Sequence, residues 1–166
     1  MKAQTFWGNP FRKKTTDREI DINFMSSVPL FDTLTRRQKT KLYSIIHVRH
    51  YQQGELVFRQ GDPGVGLYIV RDGQIDVFTE GSDMTRNKIA SLSKGDFFGD
   101  ISLLNESPRS ATAVAAKNSR LFGLFKPDLL SIMDSDPKLG LRFIYRIAQI
   151  IAERLRLINE SALSDQ

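Results

Sequence analysis

The chain has 166 residues, 40% hydrophobic and 26% charged, with a net charge of +5 and no cysteine. That length and balance fit one folded domain with a core of its own, and the missing thiols exclude disulfides, cysteine nucleophiles and Cys-ligated metal centres. The opening MKAQTFWGNPFRKK lacks the apolar centre of a signal peptide, and no run reaches the roughly 18 apolar residues of a membrane span, so a cytoplasmic soluble protein is expected.

The charge is unevenly spread: residues 1–50 hold 10 Lys/Arg against 4 Asp/Glu, the rest 14 against 15. Residues 1–16 show no period and read as a flexible leader. There Phe6, Trp7 and Phe11 beside Arg12, Lys13 and Lys14 offer a membrane or partner contact, against the simpler reading of a disordered tail. Thr16 or Asp17 caps a predicted helix with Ile20, Phe24 and Met25 on its inner face, ending before Pro29. Thr35 opens a second, with Leu42, Ile45 and Ile46 inward and its lysines and arginines outward. A solvated face explains those cations more simply than a nucleic-acid footprint, and no direct nucleic-acid binding is expected.

After His50 the hydrophobic period becomes two. Runs at 55–59, 66–71, 74–79 and 88–92 are short, alternating and separated by Gly54, Gly61 to Pro63, Asp72 with Gly73, and Gly81; the Asp72–Gly73 pair predicts a tight hairpin. Strands resume at 109–115 and 120–125. Together they predict an antiparallel sandwich or roll. Pro127 begins a short helix over 126–134, and Pro137 a long one to about Ala162. On the long helix Leu141, Ile144, Ala148, Ile151, Leu155, Ile158 and Ala162 form a coiled-coil seam, with Phe143, Ile147 and Ile150 on an adjacent face. One face is expected to pack on the roll and the other to pair with a second copy, giving a homodimer through residues 137–166. His47 and His50 fall on opposite faces of a strand, and with no cluster of carboxylates beside them no metal site is expected. No nucleophile–base pair and no Walker or Rossmann glycine pattern is present, so no enzyme is expected.

The stretch FFGDISLLNESPRSATA, from Phe97 to Ala113, carries the chemistry. Gly99 allows close backbone approach to a ligand, and residues 100–104 read as one helical turn whose free amides favour an anion. Arg109 supplies a permanently charged, planar donor suited to a phosphate diester. Asp100, beside that anion site, reads either as an acceptor for sugar hydroxyls or as a helix N-cap.

At these residues the sequence resembles the cyclic nucleotide-binding domains of the catabolite activator protein and of the regulatory subunits of cyclic AMP-dependent kinase. Their phosphate-binding cassette, F-G-E-hydrophobic-A-hydrophobic-hydrophobic, three variable residues, then P-R-x-A-[TS], matches in spacing from Phe98 through Thr112. The usual Glu is here Asp100, one methylene shorter, and the usual Ala is Ser102. The resemblance implies a mainly β fold with flanking helices: an eight-stranded antiparallel β-roll with N-terminal helices, a short cassette helix and a long C-terminal helix. The nucleotide-binding domain would span 17–136. It further implies a cyclic purine nucleotide as ligand, cyclic AMP ahead of cyclic GMP, held by Phe98, Gly99, Asp100, Ile101, Ser102, Arg109, Ser110 and Ala111. Ser110 leaves the base open, and the register of AERLRLINE makes Ile158 and Asn159 candidates for base contact from the long helix. Transcription factors of this family carry a winged helix-turn-helix after that helix; few residues follow Ala162, so a sensor or regulatory module is expected. A roll that has lost the ligand through Asp100 and Ser102 is the competing expectation.

Overall fold

The computed structural model describes residues 16–81, 85–105 and 107–164, so the leader lies outside the described residues up to Thr15. Among them the order is α1 (Asp17–Met25), a 3-10 turn (Pro29–Phe31), α2 (Arg36–Tyr43), β1 (His47–Tyr51), β2 (Leu56–Phe58), β3 (Gly66–Asp72), β4 (Gln74–Glu80), β5 (Arg86–Ser93), β6 (Phe97–Phe98), α3 (Asp100–Leu104), β7 (Thr112–Ala115), β8 (Ser119–Phe125), α4 (Lys126–Ser135) and α5 (Pro137–Ser164). The eight strands form two antiparallel sheets, ordered β1-β8-β3-β6 and β2-β7-β4-β5. This is the β-roll with flanking helices that the resemblance implied.

Residues of β3 and β8 alternate between two cores, which is why both strands are buried on both faces. Leu67, Ile69, Phe122 and Leu124 face the helices, packing with Phe24, Phe31 and Phe143. Tyr68, Val70 and Leu121 face the roll interior with Phe98, Ile75 and Ala113. The first core joins helices from both ends of the chain: Phe31 of the 3-10 turn stacks on Phe143 of α5 at 6.0 Å, and Phe24 of α1 meets Phe122 edge-on.

Thr16 caps α1 and Thr35 caps α2, each through a reciprocal capping box with Glu19 or Gln38 that satisfies two otherwise orphaned amides. Three expectations for these helices are corrected. Ile20 is 43% exposed, and the inner face of α1 is Asp21, Ile22, Phe24 and Met25. Asp21 turns inward because two arginines meet it there: Oδ1 accepts from Arg71 Nε at 2.9 Å and Oδ2 from Arg120 Nη2 at 2.6 Å. Lys39 is buried rather than outward, its ammonium donating to Ser26 Oγ at the C-cap of α1, where a cation complements the negative end of the helix dipole. Ile45 and Ile46 follow the end of α2, half-buried against the core.

The strand predicted from Arg109 begins only at Thr112. The Arg109 amide instead donates to Asp62 O, and the side chain leaves the ladder for the carbonyl of Gly66. On α5, Leu139, Phe143 and Ile147 are fully buried, and Ile144, Ile150 and Ile151 pack partly against the same core. From Ala152 to Leu163 every residue of α5 is exposed, Leu155 and Ile158 among them.

Candidate functional site

Folding the cassette against β4 and β5 leaves a cavity of about 420 Å³, walled by Ile89 and Leu92 of β5, the turn α3, residues 107–111, and Arg154 from α5. Its aromatic floor is set by β6. Phe98 stacks on Tyr68 with ring centroids 5.7 Å apart and lies 5.7 Å from Phe58.

Arg109 is the decisive side chain. It is 5% exposed, its Nη1 donates to Gly66 O at 2.7 Å and reaches Gly99 O at 3.4 Å, and its guanidinium lies over the Phe58 ring at 4.2 Å. Its Nε is buried with no partner, and among the described residues no carboxylate comes within 4.0 Å of the guanidinium. Burial therefore holds its pKa below the ordinary arginine value, with Tyr68 and Asp62 opposing that shift. Buried cations in folded proteins are ordinarily paired, and among the described residues this one is held by carbonyls and a ring alone.

Gly99 leaves room for the Arg109 head. It sits at φ +75°, in the left-handed region, and a Cβ there would collide with Arg109 Nη1 and lie 3.1 Å from Gly66 O. Gly99 is also the N-cap of α3, so the alternative reading of Asp100 as the cap is replaced: Asp100 is the first helical residue, 7% exposed, on the cavity wall. Its carboxylate is engaged, with Oδ2 accepting from Arg154 Nη1 at 2.9 Å. The Arg154 guanidinium lies 4.4 Å over Phe97. Ser102, where the resemblance expects Ala, is buried in space that Gly64 leaves free, since a Cβ on Gly64 would overlap the Ser102 side chain.

The cavity thus brings together Phe98, Gly99, Asp100, Ile101, Ser102, Arg109, Ser110 and Ala111. Asn159 does not line it; the residue α5 contributes is Arg154, five positions earlier, and Asn159 is exposed. Sequence reasoning missed Arg154 because in AERLRLINE two arginines at i and i+2 point to different helix faces, and periodicity does not say which face meets the cassette. His47 pairs with Asp128 of α4 at 2.8 Å, and among the described residues no group of three or more His, Asp or Glu side chains is placed to hold a metal.

The fold is an antiparallel β-roll whose glycine-led turn and buried arginine, without a carboxylate partner among the described residues, meet at one cavity. The cyclic nucleotide-binding domain profile matches residues 48–136, more than half of the chain, and the chain belongs to that family. Among its relatives is the cyclic AMP receptor protein of Thermus thermophilus, 35% identical over 132 residues, covering 80% of this chain and 59% of that one. A cyclic AMP-dependent protein kinase regulatory subunit of Pyricularia oryzae is 34% identical over 109 residues, covering 66% of this chain and 27% of its own. The crystal structure of Thermus thermophilus catabolite activator protein superposes with a TM-score of 0.73 at 34% identity, covering 81% of this chain and 61% of the other. The chain therefore spans between a quarter and three fifths of these relatives' length. No helix among the described residues is long and apolar enough to cross a membrane.

Proposed function

We propose that this protein binds a cyclic purine nucleotide, cyclic AMP in preference to cyclic GMP, as a non-catalytic cytoplasmic sensor whose C-terminal helix responds to the ligand. The observation that carries this is Arg109, a buried guanidinium at the cavity wall with only carbonyl partners, which a cyclic phosphate would pair. The preference for cyclic AMP is supported by the two relatives above, both named for it. Calorimetric titration with cyclic AMP, cyclic GMP and 5′-AMP tests the reading; saturable binding of cyclic AMP is expected, and no heat with any of the three at millimolar concentration removes it. That second result favours the interaction roll without ligand expected from Asp100 and Ser102, a reading that the engagement of Asp100 by Arg154 supports.

The same pair supplies the response. A ribose hydroxyl reaching for Asp100 must share or displace Arg154. The Arg154 side chain is 45% exposed, so its guanidinium can turn to water when a ligand takes the Asp100 carboxylate. Occupancy of the cavity and the position of the last turns of α5 are then linked. Arg154→Ala is expected to change cyclic AMP affinity less than about tenfold while abolishing the nucleotide-dependent change in amide exchange over residues 152–163. A variant whose α5 still responds as the wild type does would refute the coupling.

Gly99→Ala is expected to lower affinity by roughly two decades, about 2.7 kcal/mol, since the new methyl displaces the Arg109 head and strains a positive-φ position. Affinity within threefold of wild type would mean that Gly99 does not position the Arg109 head.

The outer face of α5 carries Leu141, Tyr145, Leu155, Ile158 and Leu163, each between 57% and 73% exposed. We assign that stripe to a second copy of this chain, as the heptad seam suggests.

A further inference from the structure

Strand β2 is irregular where it passes the nucleotide cavity. Its register against β7 shifts between Leu56 and Phe58, and the neighbours Val57 and Phe58 both pack on the roll interior, where regular alternation would admit only one of them. A bulge of this kind re-aims a side chain. Here it carries the Phe58 ring to the Arg109 guanidinium, whose central carbon lies 4.2 Å from that ring centre and 5.9 Å from that of Tyr68. Phe58 is braced in turn by Phe98 and Tyr68, with ring centroids 5.7 and 6.1 Å away.

The ring does for Arg109 what a carboxylate ordinarily does for a buried cation, but it consumes no donor. Its negative face meets one face of the guanidinium, and the carbonyls of Gly66 and Gly99 take Nη1. Nε and Nη2 are left without a hydrogen-bond partner among the described residues. That edge is the fork that fits two oxygens of one phosphate. A carboxylate in place of the ring would draw on the same donors and compete with the ligand.

We propose that Phe58 is a positioning residue for the ligand: its ring fixes the Arg109 guanidinium so that the Nε–Nη2 edge is presented to the cyclic phosphate. That role rests on the cavity being a cyclic nucleotide site. Phe58 acts through Arg109 and not by touching the base. Without the ring Arg109 is spread over orientations that do not present the edge, and apparent affinity falls by the fraction that still does.

Phe58→Leu keeps an apolar side chain but removes the π face. It is expected to weaken cyclic AMP binding about five- to tenfold, as suits a partly desolvated cation–π contact, and Phe58→Tyr to recover affinity to within threefold of wild type. In the Arg109→Met background the residue being positioned is gone, so Phe58→Leu is expected to change affinity by less than twofold. A loss there as large as in the wild-type background would make Phe58 a direct ligand contact and overturn the proposal. So would a Phe58→Leu affinity within twofold of wild type, or a Tyr variant no better than the Leu one. A second readout needs no ligand. The Arg109 Nε–H resonance, identified by its absence from Arg109→Met, is expected to be shifted upfield by the ring, to move downfield in Phe58→Leu and to stay nearly in place in Phe58→Tyr; an unmoved resonance in Phe58→Leu overturns the proposal. No cyclic AMP binding by wild type would instead remove the nucleotide reading itself, a result that the resonance distinguishes from a failure of Phe58 to hold the cation.

Discussion

Replacing Arg109 with Met is expected to weaken cyclic AMP binding by one to two decades or more while leaving the ligand-free fold about as stable as before. Each charge-assisted hydrogen bond to a phosphate contributes roughly 1.5–3 kcal/mol, so losing the guanidinium costs at least one to two decades of affinity. The effect on the empty protein is different in kind. There Arg109 is a cation held in a site that is 5% exposed, with an orphaned Nε and no carboxylate among the described residues. Its desolvation offsets what it gains from the Gly66 carbonyl and the Phe58 ring, and apolar replacements of buried charges are often neutral. Ligand-free stability is therefore expected to change by no more than about 1 kcal/mol. In a thermal scan with cyclic AMP at a hundred times its Kd, wild type should gain about 2.7 kcal/mol, a rise of roughly 5–11 °C. Arg109→Met, with one to two decades less affinity, should gain no more than about 0.4–1.4 kcal/mol at the same concentration. If the variant unfolds without ligand by 10 °C or more below wild type, Arg109 is a structural residue and the anion seat is misassigned.

The second large effect is on stability alone. Asp21 is fully buried and accepts three hydrogen bonds, from Arg71 Nε, Arg120 Nη2 and Tyr43 OH, the last at 2.9 Å. It ties α1 and α2 to β3 and β8 through a single carboxylate. Burial, and then the bond to Asp21, raise the Tyr43 pKa above its usual value. Arg71 is itself 7% exposed and lies over the Phe24 ring, so its Nε has little water to turn to when Asp21 is removed. Asp21→Ala removes the buried partner of both arginines, leaves Arg71 only the half-exposed Asp72 carboxylate at 3.1 Å, and is expected to cost about 3–5 kcal/mol, lowering Tm by roughly 6–20 °C. Tyr43→Phe removes one neutral donor and should cost about 1 kcal/mol. Chemical denaturation of both variants checks the order; a loss below about 1 kcal/mol for Asp21→Ala would show that the network is not the tie between helices and roll.

The elements with local signals were legible residue by residue. Thr16 and Thr35 cap the helices that follow them, Asp72 and Gly73 mark the hairpin between β3 and β4, and Pro127 and Pro137 lie at the starts of α4 and α5. The cassette was legible for the same reason: Gly99, Asp100 and Arg109 are close in the chain, so their spacing alone brings them to one cavity. What escaped was set by contacts between distant residues. Asp21 reads as a polar residue on an amphipathic helix, and only the approach of Arg71 and Arg120, 50 and 99 positions away, turns it inward and leaves Ile20 outside. Arg154 reads as one of several charges on α5, and only the packing of Phe143 and Ile147 on the core rotates it onto Asp100, 54 positions earlier.

By itself the sequence therefore determined the order of helices and strands and the family's cassette motif, because capping, turn chemistry, alternation and a motif of fixed spacing act over a few residues. Tertiary structure decided which polar side chains are buried, that Gly99 rather than Asp100 caps α3, and that α5 reaches the cavity through Arg154 rather than Asn159. Those choices depend on the rotation of whole elements against one another, which is fixed by the packing of the two cores and not by any neighbouring residue.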